Sequence, residues 1–160
     1  MPMTISSSTI ANEIERTVSG PMWHGSALSE LLQGVTPEQA AAHPIAGAHS
    51  IWELVLHVTA WAEIASERLS HRSLESVPSE VDFPPVPTPS AAAWDEAKVR
   101  LSASHQALAR AAETLTGDEL AAVVPVPKPR YTVWTLLHGV IEHGTYHGGQ
   151  IALLKRALGK

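Results

Sequence analysis

TVWTLLHGVIEHGTYHGGQIALLKRAL, residues Thr132 to Leu158, is the stretch whose reading decides the fold. Leu136, Leu137, Val140, Ile141, Ile151, Leu154 and Leu158 recur at spacings of three and four, the period of one helix face. The pattern predicts a helix from Thr132 to Leu158, stopped by Gly159. Within it stand His138, His143 and His147. Histidine is a mediocre helix former and an awkward core residue, because a neutral ring carries one nitrogen that donates and one that accepts. A core-facing helix rich in imidazoles either satisfies them by hydrogen bonds or converges them on something that takes nitrogen ligands.

Working outward, the same period appears twice more. Ser50 to about Arg72 opens with Ser50-Ile51-Trp52-Glu53, a capping box, and carries Leu54, Val55, Val58, Trp61, Ala62, Ala65 and Leu69 on one stripe. Ser90 to Leu115 carries Trp94, Ala97, Leu101, Leu108, Ala111, Ala112 and Leu115. Shorter helices are expected at Thr9 to Ser19, ended by Gly20-Pro21, at about Gly25 to Gly34, and from Thr36-Pro37-Glu38-Gln39, a second capping box, to Ala42. No alternating strand pattern appears. Residues 73–89 hold five prolines, and Pro125, Pro127 and Pro129 precede the last helix. Alternating X-Pro favours extended backbone, so both segments read as ordered crossover loops between core helices. The expected fold is all-α, a four-helix bundle with at least one long connection, forming a single domain over 1–160 with its core at about 20–158.

Composition removes whole classes of function. The 160 residues contain no cysteine, which excludes disulfides, thiolate zinc sites and a protein-borne thiol nucleophile. The net charge of −5 and the scatter of eleven basic residues argue against nucleic-acid binding. Lys155 and Arg156 form the one small basic pair, where a helix C-terminus favours cations. The first twenty residues lack the basic and apolar regions of a signal peptide, and no apolar run is long enough to span a membrane. A cytoplasmic protein is expected.

Nine histidines make some coincidence inevitable. His143 and His147, at i and i+4, share the stripe of Leu136, Val140, Gln150 and Leu154, the spacing by which a helix offers two nitrogens to one metal ion. His57 shares a stripe with Leu54, Trp61 and Ala65 on the second long helix. Three inward imidazoles from two helices make a set with an open fourth position, the composition of catalytic zinc sites, though nickel, iron and copper accept the same ligands. Two hydrogen-bonded core histidines are the competing reading of H-x-x-x-H. His138 stands about 140° around the helix from His143 and reads as structural. His71 at a helix end reads as solvated, His105 as a flank position, His43 as a loop residue, and His24 and His49 as residues preceding helices that could also line a pocket mouth. For substrate binding the candidates are Gln150, Trp61 and Trp23. The turn Gly20-Pro21-Met22-Trp23 and the prolines before Thr132 are candidate pocket walls. Glu53 could orient His57, but its place in the capping box comes first.

The stretches GPMWHGSALSELLQGV, GAHSIWELVLHVTAWAE and LLHGVIEHGTYHGGQIALLKRAL resemble the DinB-like superfamily of DinB/YfiT-type metalloenzymes, which are unrelated to the DNA polymerase sharing that name. The resemblance runs from about Gly20 to Leu158. It implies a four-helix bundle, a homodimer, and a metal triad of one histidine on the second bundle helix with an H-x-x-x-H pair on the last, here His57, His143 and His147. It also implies small-molecule chemistry, since characterised relatives include S-transferases and isomerases that use bacillithiol or mycothiol. A divalent metal, zinc, nickel or iron, and a low-molecular-weight thiol are thus the expected cofactors. A bound dication brings the pKa of coordinated water to around 7 and favours a thiolate. Three functional classes follow: a metal-dependent transferase or hydrolase, a non-catalytic metal-binding or stress-response bundle, and an interaction module whose histidines are merely satisfied.

Overall fold

A computed structural model describes residues 6–70, 76–127 and 129–159. Four long helices form the bundle: α1 (Ser7–Ser19), α4 (Ile51–Leu69), α6 (Ala91–Glu113) and α8 (Val133–Ala157). Four helices of four or five residues lie in the connections: α2 (Leu28–Leu31), α3 (Pro37–Ala41), α5 (Ser79–Asp82) and α7 (Gly117–Ala121). Each long helix starts at a hydroxyl cap, Ser6, Ser50, Ser90 or Thr132, whose side chain accepts an otherwise orphaned amide. At α4 the box closes both ways: Ser50 Oγ accepts from Glu53 N–H at 3.2 Å, and Glu53 Oε2 accepts from Ser50 N–H at 2.6 Å. None of the described helices is long and apolar enough to cross a membrane.

Two apolar clusters fix how the helices run. One gathers Ile51, Trp52, Leu54 and Val55 from the start of α4, Trp94, Ala97 and Leu101 from the start of α6, Val18 from the end of α1, and Ile151 and Leu154 from the end of α8. The other gathers Ile10 and Ile14, Ala62 and Ala65, Leu108 and Ala112, and Leu136, Leu137 and Val140 from the opposite ends of the same helices. Helices α4 and α6 are therefore parallel to each other and antiparallel to α1 and α8. Around the bundle α1 packs on α6 and α8, and α4 packs on α6 and α8. A parallel neighbour pair needs a connection that returns along the whole bundle, and the proline-rich segment after Leu69 provides it. In the first cluster the Trp52 and Trp94 rings lie 5.0 Å apart, and Trp94 Nε1 donates to the Val35 carbonyl at 2.9 Å. Such a ring pair contributes about 0.5–1.5 kcal/mol beyond its burial.

The bundle core begins earlier than about residue 20, because α1 buries Ile10 and Ile14 completely. The expected helix over 25–34 is a single turn at Leu28–Leu31, bounded by Gly34 in the left-handed region at φ 71°. The helices α5 and α7 were not expected; α7 opens with its own capping box, Thr116 and Glu119. The end of α4 is at Leu69, and His71 and Arg72 lie outside the described residues. His105 is a correction: it is 1% exposed, not a flank residue. Because α6 packs on two neighbours, its buried arc is wider than the single stripe of leucines and alanines, and it takes in Ser104 and His105. His105 Nδ1 donates to the Leu101 carbonyl at 2.9 Å, while Nε2 has no partner.

Where α8 crosses α1 and α2 its glycines differ sharply. A Cβ on Gly144 would meet Thr17 Cγ2 at 2.5 Å, whereas one on Gly149 would meet nothing within 4 Å. Thr17 is buried and β-branched, so it has little room to turn away. Gly144→Ala is expected to lower the unfolding free energy by about 1 kcal/mol, the overpacking cost outweighing the gain in helix propensity. Gly149→Ala should raise it by about 0.5–1 kcal/mol. Urea denaturation of the two variants checks both signs.

Burial pushes His105 down to about 4, and a neighbouring hydrogen bond to Leu101 only partly offsets that. The unfolded chain, with an imidazole at 6.5, therefore takes up the proton first as the pH falls. Stability is expected to drop between about pH 6.5 and 4, with His143 and His147 acting in the same direction. His105→Leu should flatten that part of a denaturation-midpoint-versus-pH curve and leave the plateau above pH 7 within about 1 kcal/mol of the parent.

Candidate metal centre

Between the two apolar clusters lies a belt of imidazoles: His57 at mid-α4, His105 at mid-α6, and His143 and His147 at mid-α8. Three of the four converge. His57 Nε2 and His143 Nε2 are 2.9 Å apart, and His147 Nε2 is 3.0 Å from His143 Nε2. His57 and His147 are buried, and His143 is half-buried at the edge of a cleft. Their ring planes stand roughly edge to face, at 62° to 87°, so the nitrogens point toward a common region while the rings do not stack.

The outer nitrogens decide which inner ones carry protons. His57 Nδ1 donates to the Asp82 carbonyl at 2.7 Å, and the Asp82 carboxylate stands 3.2 Å away. A carbonyl cannot donate, so Nδ1 holds the proton and Nε2 presents a lone pair. His147 Nδ1 donates to Gln150 Oε1 at 2.6 Å, leaving its Nε2 in the same state. His143 Nε2 thus faces two lone pairs and, in the neutral ring, has at most one proton to share. Burial, with His147 and His57 adding to it, pushes His143 down to about 3, so the ring is neutral at neutral pH. His147 is likewise lowered, chiefly by burial and partly offset by Gln150. The cluster is short of hydrogens. A cation would satisfy all three lone pairs at once, and nitrogens around a tetrahedral ion at 2.0–2.1 Å stand about 3.3 Å apart, close to the separations here. Together these side chains could hold a metal ion.

Asp82 and Phe83 are the site residues that the sequence did not reveal. They belong to the crossover, which α5 anchors against α4. Phe83 stacks on the His57 ring at 4.0 Å and on His49 at 4.1 Å on its other side. Asp82 Oδ1 also accepts from Trp61 Nε1 at 2.7 Å. No motif marks a Val-Asp-Phe between prolines, and only tertiary folding brings it to His57. Arg68 was missed as well, although it continues the His57-Trp61 stripe and could have been found on it.

The structure treats the remaining candidates unequally. Trp61 lines a cleft of about 910 Å³ together with His57, His143 and Asp82. Gln150 touches the triad through His147 and faces a smaller hollow on the other side, beside His49 and Leu154. Trp23 is 98% exposed on its turn and does not line the cleft, whereas Pro129 and Val126 before the last helix do. Glu53 is held by Ser50 and by His43 Nε2 at 2.9 Å, away from His57. Burial raises the Glu53 pKa, but those hydrogen bonds outweigh it and hold the carboxyl below its usual range. His138 packs on Trp134 with centroids 4.3 Å apart.

No curated protein and no solved structure matches the chain at a significant level. A family model does, over residues 23–151, which takes in all three converging histidines. The chain belongs to the DinB superfamily.

Proposed function

We propose that the chain is a divalent-metal-dependent enzyme that transfers an apolar group from an electrophile to a low-molecular-weight thiol. The thiolate sulfur forms the new bond to carbon as the bond to the leaving group breaks, the leaving group departing as an anion and the thiol proton passing to solvent. The observation that carries this reading is the triad itself: three imidazole nitrogens 2.9 and 3.0 Å apart, too few protons among them, and a large cleft against two of the rings. Three protein ligands leave a position for an exchangeable ligand. When bound, the metal supplies Lewis acidity that favours a thiolate at neutral pH.

The chain's own residues supply the rest. Asp82 fixes the His57 tautomer from its carbonyl, and Gln150 fixes that of His147, so both rings are oriented before any ion arrives. The Asp82 carboxylate, pinned by Trp61 Nε1 and 3.2 Å from His57 Nδ1, supports that ring from the side away from the converging nitrogens. Trp61, Val126, Leu136 and Val140 give the cleft an apolar wall that excludes water from the electrophile. A thiol brought in as co-substrate suits a chain without cysteine. Hydrolysis is the second reading, with water in place of the thiol at the position that three protein ligands leave open. We propose a cytoplasmic enzyme and, by family resemblance, a homodimer acting on small molecules.

Elemental analysis of the purified, untagged protein is expected to show near-stoichiometric zinc, nickel or iron, lost in His57→Ala, His143→Ala and His147→Ala. A protein that stays empty after reconstitution with each ion would sink the reading. Gln150→Leu should keep the fold and weaken metal affinity by roughly 10–100-fold, as measured by competition with a chromogenic chelator, whereas Asp82→Ala, which leaves the backbone acceptor of His57 Nδ1 in place, should weaken it less. Turnover of an activated aryl chloride with a low-molecular-weight thiol should cease on chelation and return when metal is restored.

A further inference from the structure

The cleft that opens beside the triad is apolar along Val77, Val126, Pro129, Leu136 and Val140, but one cation stands in its wall. Arg68 lies eleven residues after His57, three turns along the same face of α4 and about 16 Å further along the axis. Its side chain folds back toward the triad. Arg68 Cζ is 5.5 Å from the Trp61 ring, and that ring is 6.5 Å from the His57 ring, which bounds the guanidinium-to-imidazole distance at about 12 Å.

The guanidinium is under-used. It carries five N–H donors. Nη1 donates to the Tyr131 hydroxyl at 2.6 Å, while Nε is buried with no acceptor. Among the described residues no carboxylate lies within ion-pair distance of it. Arg100, on the outside of the bundle, shows the contrast: its fork is filled by both oxygens of Glu63 at 2.7 Å. The end of α4 and the face of Trp61 both favour a cation, which accounts for the charge. Neither accepts the remaining N–H groups. A half-buried guanidinium with no carboxylate partner among the described residues, in the wall of an apolar cleft, suits an anion with a planar pair of oxygens.

We infer that Arg68, with Tyr131 holding it in place, anchors the carboxylate of the substrate, and that the substrate is a monocarboxylic acid with an apolar body lying between Arg68 and the histidine triad. The carboxylate sits on the guanidinium, the hydrocarbon packs on Trp61, Leu136 and Val140, and the reacting end reaches His57 and His143. This names the substrate class for the cleft in the proposed function, but the anchor needs no metal.

The test is calorimetric titration of chelator-treated protein with phenylbutyrate and with its neutral amide, using the wild type, Arg68→Met and Arg68→Lys, with far-ultraviolet circular dichroism to check the fold. The wild type should bind the acid tighter than the amide by roughly tenfold or more. Arg68→Met should lose the preference and Arg68→Lys should keep part of it. Equal affinity of the wild type for acid and amide, or no saturable binding of the acid, overturns the inference even if Arg68→Met does not fold. A preference that appears only in metal-loaded protein and survives in Arg68→Met places the carboxylate on the metal and also overturns it. Glutathione, a polar thiol bearing carboxylates, is the second arm: Arg68-dependent binding of glutathione without phenylbutyrate would assign the anchor to a thiol co-substrate and reject the apolar acid. Metal content of Arg68→Met, measured separately, should be unchanged, so a failed anchor and a failed metal centre give different results.

Discussion

Three imidazole nitrogens within hydrogen-bond distance, two of them with lone pairs dictated by their outer partners, set the constraint that the rest of the structure serves. Left in water such a cluster would relax: rings would rotate, exchange tautomers or take up protons. Here each escape is blocked. The Asp82 carbonyl and Gln150 hold two tautomers, Phe83 stacks on His57, and burial opposes protonation of His143 and His147. The two apolar clusters above and below keep α4 and α8 in register, so that mid-helix residues far apart in sequence meet at one level of the bundle. The arrangement is stiff because it is held at both ends and along the sides.

That register was legible in the sequence because it rests on helix periodicity. The stripes through His57 and through His143 and His147 follow from a spacing of three and four, and any bundle that buries those stripes brings the imidazoles inward. The caps at Ser50 and Thr36 were legible for a similar reason, being local patterns with local hydrogen bonds. His105 was misread because periodicity marks one face, and a helix with two packed neighbours buries a wider arc. Trp23 was attractive as a large side chain on a turn near the bundle, but nothing in a turn sequence tells whether its aromatic ring packs inward, and this one is exposed.

Asp82 and Phe83 mark a different limit. They act through contacts across a long crossover, with His57 twenty-five residues earlier in the chain than Asp82. No helical phase relates them. The sequence showed a long proline-rich connection, and the two apolar clusters show that α4 and α6 are parallel, so that connection returns along the bundle. In the described part of that connection, α5 packs on α4 and brings Asp82 and Phe83 to His57. The crossover is thereby both a connection and the outer support of His57.

The site divides its tasks between two kinds of structure. Ligand nitrogens come from the middles of long helices, whose positions are fixed by packing on both sides. The cleft wall facing them comes in part from connections: Ser76, Val77 and Asp82 from the crossover, and Val126, Pro129 and Tyr131 from the segment before α8. That second segment is clasped to itself by Val124 N–H to the Tyr131 carbonyl at 2.9 Å and Val133 N–H to the Ala122 carbonyl at 2.9 Å, so its side chains are presented from an ordered hairpin-like turn. Changes in connections perturb bundle packing far less than changes in the helices. The histidine triad, built on the helices, can therefore stay constant while the cleft wall opposite is altered. Arg68 stands at the junction of the two, carried by α4 but held by Tyr131 of the connection, which couples the position of the cation to the shape of the wall.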